Sequence, residues 1–264
     1  MHEMEKVIQD KEYYEKLLTE YTFELRERSN KEYIKKFAEF RKFPIEVVEE
    51  SKIFYVEDAS DMLLPKYLNY IEAFGIISEL NRKPMFSHRY IIPIFNEKGM
   101  VQNLVGYSPD SLERYIYAKA RYCRRRDTLY GLENLNLAYD LGYAIVVEGI
   151  TDAIRLRSMG YKNTFAMCGT HSSEYITRQL NRCRHGVIRI PDRDRAGRKA
   201  VQGWDFNRHV TIYIYLNYKD VDEMCAESEE NRQWFKGYLD GCINWILSGT
   251  HNGHKCACEE VTVL

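Results

Sequence analysis

Three short acidic clusters in the second half of the chain have the residue types to do chemistry. Glu148-Gly149 is followed one helical turn later by Asp152, Pro191 by Asp192-Arg193-Asp194, and Lys219 by Asp220-Val221-Asp222. Each cluster lies just past an apolar, β-branched run: Tyr143–Val147, Val187–Ile190 and Val210–Leu216. In an open parallel sheet, ligands bind beyond the carboxyl ends of the strands. Three strand ends would therefore deliver carboxylates to one edge. Crowded carboxylates raise one another's pKa or require cations. Mg²⁺ suits them as a hard ion that takes oxygen ligands and keeps waters beside one or two carboxylates and substrate phosphates. A single Asp-x-Asp would be an ordinary exposed loop. Three acidic strand ends in register point to a divalent-metal site drawn from Glu148, Asp152, Asp192, Asp194, Asp220 and Asp222.

The cations nearby sharpen the chemistry. Residues 178–199 carry Arg178, Arg182, Arg184, Arg189, Arg193, Arg195, Arg198 and Lys199 against two acids. A metal site set in a basic surface suits a polyanion, as in phosphoryl or nucleotidyl transfer on nucleic acid. A second basic stretch, 111–126, holds six basic side chains against one acid, interleaved with tyrosines: Arg114, Lys119, Arg121, Arg124, Arg125 and Arg126. Rings that stack bases and guanidinium groups that hold phosphates are what a single-stranded nucleic-acid groove needs.

These clusters need a scaffold. From 143 onward, short apolar runs alternate with helical segments: Asp152–Met159, the strand Asn163–Met167, Ser173–Arg182 and Ala196–Trp204. Such alternation implies crossover connections and a mostly parallel sheet flanked by helices, an α/β domain over 142–224. Upstream, 1–141 forms a separate α+β lobe. Its first sixty residues have apolar residues at helical spacing (Tyr14, Leu17, Leu18, Tyr21, Leu25, then Ile34, Phe37, Ala38), giving two or three helices with a break at Phe43-Pro44. Arg89–Phe95 and Met100–Gly106 make two strands around a turn ending at Gly99. Residues 225–264 form a short helical segment and tail. The formal net charge of −1 argues against nucleic-acid binding only as an average, because an acidic region over 1–61, with 16 acids against 11 bases, offsets the basic stretches. The charged start has no signal core, no run is long enough to span a membrane, and the 7 cysteines are odd in number, so a cytoplasmic protein with reduced thiols is expected.

The order of motifs resembles a known family. Val146-Val147-Glu148-Gly149-Ile150-Thr151-Asp152, Met167-Cys168-Gly169-Thr170, Asp192–Ala200 and Lys219-Asp220-Val221-Asp222-Glu223 resemble the Toprim domain shared by bacterial-type primases, topoisomerases and some nucleases. Arg89–Ile94 with Gly99 and Gly106, then Arg114-Tyr115-Ile116 and Leu129-Tyr130-Gly131-Leu132, resemble the catalytic core of DnaG-type primases. The resemblance covers residues 10–225. It implies template-directed synthesis of short RNA primers on single-stranded DNA, with Mg²⁺ or Mn²⁺ on the Toprim acids. Glu148, Asp192 and Asp194 would be the catalytic group. It also implies nucleic-acid or nucleotide contacts from Arg89, Arg114, Lys119, Arg121, Arg124, Arg125 and Arg126, to which Arg193, Arg195 and Lys199 add. The partners implied are template, nucleotide triphosphates, and a replicative helicase or separate template-recognition module, in a bacterial or phage-infected cytoplasm. The chain departs from the family at Gly106-Tyr107, where the family has Gly-Arg, and at Arg193, where it often has Gly. A Cys/His module before Cys123 and a helicase-binding domain after Asp222 are both missing from this stretch. A minimal phage or mobile-element primase fits, as does a piece of a larger assembly. A Toprim nuclease and a non-catalytic nucleic-acid-binding subunit are the alternatives. His251, His254, Cys256 and Cys258 are a tail in which Cys-x-Cys is too tight for one zinc, so zinc is not expected. Gly169-Thr170-His171 is either a phosphate-contacting loop or a turn into the next helix.

Overall fold

The computed structural model describes residues 2–123, 127–168, 173–193, 210–248 and 259–260, and the chain divides into two compact units, 1–125 and 126–264. In the first, α1 (His2–Arg28) buries Tyr14, Leu18, Tyr21 and Leu25, the stripe expected from helical spacing. The chain breaks where Asn30 caps α2 (Lys31–Arg41) by accepting the Glu32 N–H at 3.0 Å, and again at Lys42, in the left-handed region, before Pro44 opens α3 (Ile45–Glu50).

These helices accompany a four-stranded antiparallel meander: β1 (Phe54–Val56), β2 (Arg89–Phe95), β3 (Val101–Tyr107) and β4 (Tyr115–Tyr117). The two strands expected from sequence are β2 and β3. Their turn is fixed by Asn96, whose Oδ1 accepts the N–H groups of Lys98 and Met100, and by Gly99 at positive φ. The short outer strands were not expected. Register places Tyr55 opposite Tyr90, Tyr90 opposite Tyr107, and Tyr107 opposite Tyr115, a row of rings across all four strands. From α2, Tyr33 stacks on Tyr55 at 3.9 Å and Phe37 packs 4.7 Å from Tyr90.

The second unit is built on a six-stranded sheet, ordered β10-β9-β8-β6-β7-β5. The central strands β6 (Tyr143–Val147), β7 (Thr164–Met167), β8 (Gly186–Ile190) and β9 (Val210–Tyr215) are parallel. Crossover helices α5 (Ile150–Ser158) and α6 (Glu174–Leu180) join the first three, and the Ser173 hydroxyl caps α6. The expected helix over Ala196–Trp204 lies outside the described residues. The sheet is α/β and mostly parallel, as the alternation implied. The chain divides upstream of the boundary expected after 141, because β5 (Leu129–Tyr130) pairs antiparallel with β7, and Leu129, Leu132 and Leu135 pack with Val146 and Phe165. Between them α4 (Leu135–Leu141) ends at Gly142 in the left-handed region. After β9 come α7 (Val221–Glu227) and α8 (Glu229–Ser248), which buries Phe235, Leu239 and Ile246. Beyond the residues left undescribed after α8, Glu259–Glu260 forms β10 and pairs parallel with β9. No described helix is long and apolar enough to cross a membrane.

Candidate active site at the carboxyl edge of the parallel sheet

Glu148 follows β6 directly and is half-buried; one of its oxygens accepts the Asp192 N–H at 3.3 Å. That bond ties the ends of the paired strands β6 and β8. Gly149 then opens α5, and a Cβ there would lie 2.3 Å from one oxygen of the Asp152 carboxylate, which would have to move aside. Asp152 is buried, and its Oδ1 accepts the Asp222 N–H at 2.8 Å. On the far side, Asp220 caps α7 by accepting the Glu223 N–H, with the Lys219 ammonium 3.3 Å from its other oxygen.

The electrostatics agree that these acids converge. Burial pushes the Asp152 carboxyl well above the usual carboxylate range, and the negative charges of Asp220, Asp192 and Asp222 push it further. Three of the other five acids expected from sequence therefore act on Asp152, and Glu148 joins them through the backbone of Asp192. Asp194 lies outside the described residues. Among the described residues, no three acidic, histidine or cysteine side chains stand close enough to hold an ion as a ready-made cage. The donor set is nonetheless all oxygen, which suits a hard divalent cation.

Asp222 is placed differently from expectation. It is buried, and its Oδ1 accepts from both Nε and Nη2 of Arg155, each at 2.8 Å. It faces the interior and anchors α7 to α5 instead of presenting a free oxygen at the edge. Arg155 was not singled out from sequence. Residues 150–156 of α5 are all buried, so an arginine there needs a partner, which becomes visible only once the helix is packed.

The basic residues sort unevenly. Arg89 is a correction, since it is buried and its guanidinium donates to the carbonyls of Glu113 and Arg114 and to the Ser111 hydroxyl, latching the 108–114 loop. Arg189 also leaves the expected basic surface: it is buried in β8, donating to the Tyr213 hydroxyl at 2.8 Å with its guanidinium over that ring. Arg178 pairs with Glu174, and Arg182 lies over Tyr139. Arg114 is exposed, Arg121 is exposed against the Tyr122 ring, and Lys119 is ion-paired with Glu79. At Tyr107, where a family cation was missing, Arg41 donates to the hydroxyl at 3.2 Å. Arg193 is exposed and borders an open cleft of about 880 Å³ with Asn217, Tyr218, Lys219 and Glu223. Arg124, Arg125, Arg126, Arg195, Lys199, Gly169-Thr170-His171 and the His251–Cys258 cluster lie outside the described residues.

A sequence profile of Toprim-like domains matches residues 145–225, the span that contains every one of these acids. The fold of the whole matches the catalytic domain of DnaG primase bound to single-stranded DNA, with a TM-score of 0.73 at 19% identity, covering 87% of this chain and 80% of that one. The chain has the fold of a DnaG-type primase catalytic core, with a Toprim-like domain over residues 145–225. The zinc-binding and RNA polymerase domains of the Aquifex aeolicus primase match with a TM-score of 0.69 at 24% identity, covering 85% of this chain and 59% of that structure. In sequence, the DNA primase of Aquifex aeolicus is 31% identical over 139 residues, half of this chain and 28% of that protein. The DNA primase of Rickettsia conorii is 31% identical over 122 residues, 44% of this chain and 20% of that protein. The chain thus spans about a quarter of the length of the curated relatives it matches. Toprim domains of this kind generally work with divalent metal ions.

Proposed function

We propose that this chain is a DNA primase core that joins nucleotides into short RNA primers on single-stranded DNA. The observation that carries the reading is the acid cluster at the carboxyl edge, where Asp152 feels Asp192, Asp220 and Asp222 at once. Mg²⁺ or Mn²⁺ would be held by Glu148, Asp192, Asp194 and Asp220, with the buried Asp152 and Asp222 shaping the site from beneath. A bound divalent ion supplies a lowered pKa at the primer 3′-hydroxyl and neutralises charge on the α-phosphate and departing pyrophosphate. The protein's own residues do the positioning. Glu148 fixes the Asp192 backbone, Asp220 is fixed by capping α7, and Arg155 balances the charge that Asp222 places behind the cluster. Exposed Arg114 and Arg121, together with Arg124, Arg125 and Arg126, are the proposed grip on template and nucleotide phosphates. A replicative helicase or a template-reading module would act as partner, in the cytoplasm.

Single-stranded DNA, labelled nucleotide triphosphates and Mg²⁺ or Mn²⁺ should yield short RNA, lost on Asp192→Ala. Absence of product over a template library, with and without helicases, would overturn the proposal. Metal-dependent degradation of DNA without nucleotides would instead identify a nuclease.

A further inference from the structure

The ladder between β8 and β9 ends at the pair Arg189 and Tyr213, and the loops that carry Asp192 and Asp220 run on past it. Two strand-end loops without further ties would be free to spread, and the spacing of their carboxylates would drift with them. Two bonds from Arg193 tie these loops together. Its backbone N–H donates to the Lys219 carbonyl at 2.8 Å, and its guanidinium donates to the Asn217 carbonyl. We infer that Arg193 is a positioning residue, a strap that joins the loop after β8 to the loop after β9 and sets the span between Asp192 and Asp220.

The neighbouring bonds make the strap part of a continuous string. Glu148 accepts the Asp192 N–H, Arg193 reaches Asn217 and Lys219, and Asp220 accepts the Glu223 N–H at the start of α7. All three acidic strand ends are thereby coupled through hydrogen bonds that do not use the carboxylate of Asp192. An exposed arginine between two aspartates would ordinarily be taken as a phosphate ligand, yet here its side chain is turned along the sheet edge onto a main-chain carbonyl. The planar guanidinium suits the task, because it presents several donors in a fixed fork and reaches a carbonyl that its own backbone amide cannot. Groups that orient metal ligands commonly change metal affinity by about 10–100-fold when removed.

The inference deepens the proposed function, and its test has to separate the two. Hydrogen exchange of the 216–223 segment and calorimetric titration with Mn²⁺ alone would compare the full chain with Arg193→Ala and Arg193→Gln. Arg193→Ala should speed exchange in 216–223 and weaken Mn²⁺ binding about tenfold, leaving affinity for a labelled single-stranded oligonucleotide within about twofold. Arg193→Gln, which keeps a donor and drops the charge, should recover much of both. Unchanged exchange in Arg193→Ala would overturn the strap. So would unchanged Mn²⁺ affinity, or a loss confined to oligonucleotide binding. If the wild-type chain binds no Mn²⁺, the primase reading fails, and the exchange measurement still decides whether Arg193 joins the loops.

Discussion

Replacing Arg155 with methionine would leave a carboxylate stranded inside the second unit. The side chains of Arg155 and Asp222 are 1% and 6% exposed, and two donors of the guanidinium converge on one oxygen of Asp222 at 2.8 Å. Water cannot replace that partner without opening the contact between α5 and α7. Removing one member of a buried pair costs about 3–5 kcal/mol, because the remaining charge stays desolvated. For a chain of this size that corresponds to a fall in Tm on the order of 10 °C. Urea unfolding followed by circular dichroism, in chelator, would measure it for Arg155→Met, Asp222→Leu and the pair together. Replacing both partners by apolar groups of similar volume is often neutral, so the double variant should recover most of the single-variant loss. The Arg155→Met penalty should also shrink as pH falls, because an unpaired buried carboxylate has a raised folded-state pKa and is relieved on protonation. A loss under about 1 kcal/mol, the range of an exposed pair, with no recovery in the double variant would refute the reasoning.

Other expectations follow from particular contacts. Glu148→Gln keeps an acceptor for the Asp192 N–H, so thermal melting should change little while calorimetric Mn²⁺ affinity and primer synthesis fall. EDTA should abolish primer synthesis, and Mg²⁺ or Mn²⁺ should restore it; activity that survives chelation would contradict the metal reading. Glu15 is buried beside Asn96, and desolvation raises its carboxyl pKa; its folded pKa therefore exceeds its unfolded one, and it costs stability as pH rises from about 4 toward neutrality. Glu15→Gln should stabilise the first unit at neutral pH, with the gain vanishing in acid, as urea titrations at two pH values would show. Gly75→Ala should destabilise well beyond the roughly 1–2 kcal/mol of a left-handed residue, because the new Cβ would sit 2.1 Å from the Lys119 carbonyl carbon. Gly99→Ala, also at positive φ but facing open space, should cost only the backbone amount.

The α/β alternation and the acidic strand ends were legible because each depends on local pattern. β6, β7, β8 and β9 are apolar runs of strand length, and the rule that ligands sit beyond their carboxyl ends needed only their direction. Less was legible where a residue's fate depends on what packs against it. Arg89 and Arg189 look like surface cations in the sequence, yet one latches a loop and the other lies under Tyr213. β1 and β4 have three residues each and gain their identity from pairing with β2 and β3, which no local period announces. Asp222 has the same spacing as a metal ligand whether it faces the edge or the interior. Only the partner on α5 distinguishes the two, and that partner is 67 residues away along the chain.

The division at 125/126 has an optical consequence. All three tryptophans, Trp204, Trp234 and Trp245, fall in the second unit, while the cross-strand row of Tyr55, Tyr90, Tyr107 and Tyr115 belongs to the first. Indole emission therefore follows the half that carries the acids and is silent about the other. The closely packed phenol rings should give the meander its own near-ultraviolet dichroism, with Tyr90 ionising late, near pH 12, because burial holds its proton. Because indole emission is confined to the half that carries the acids, its loss can be compared in one unlabelled sample with the loss of far-ultraviolet dichroism, to which both halves contribute.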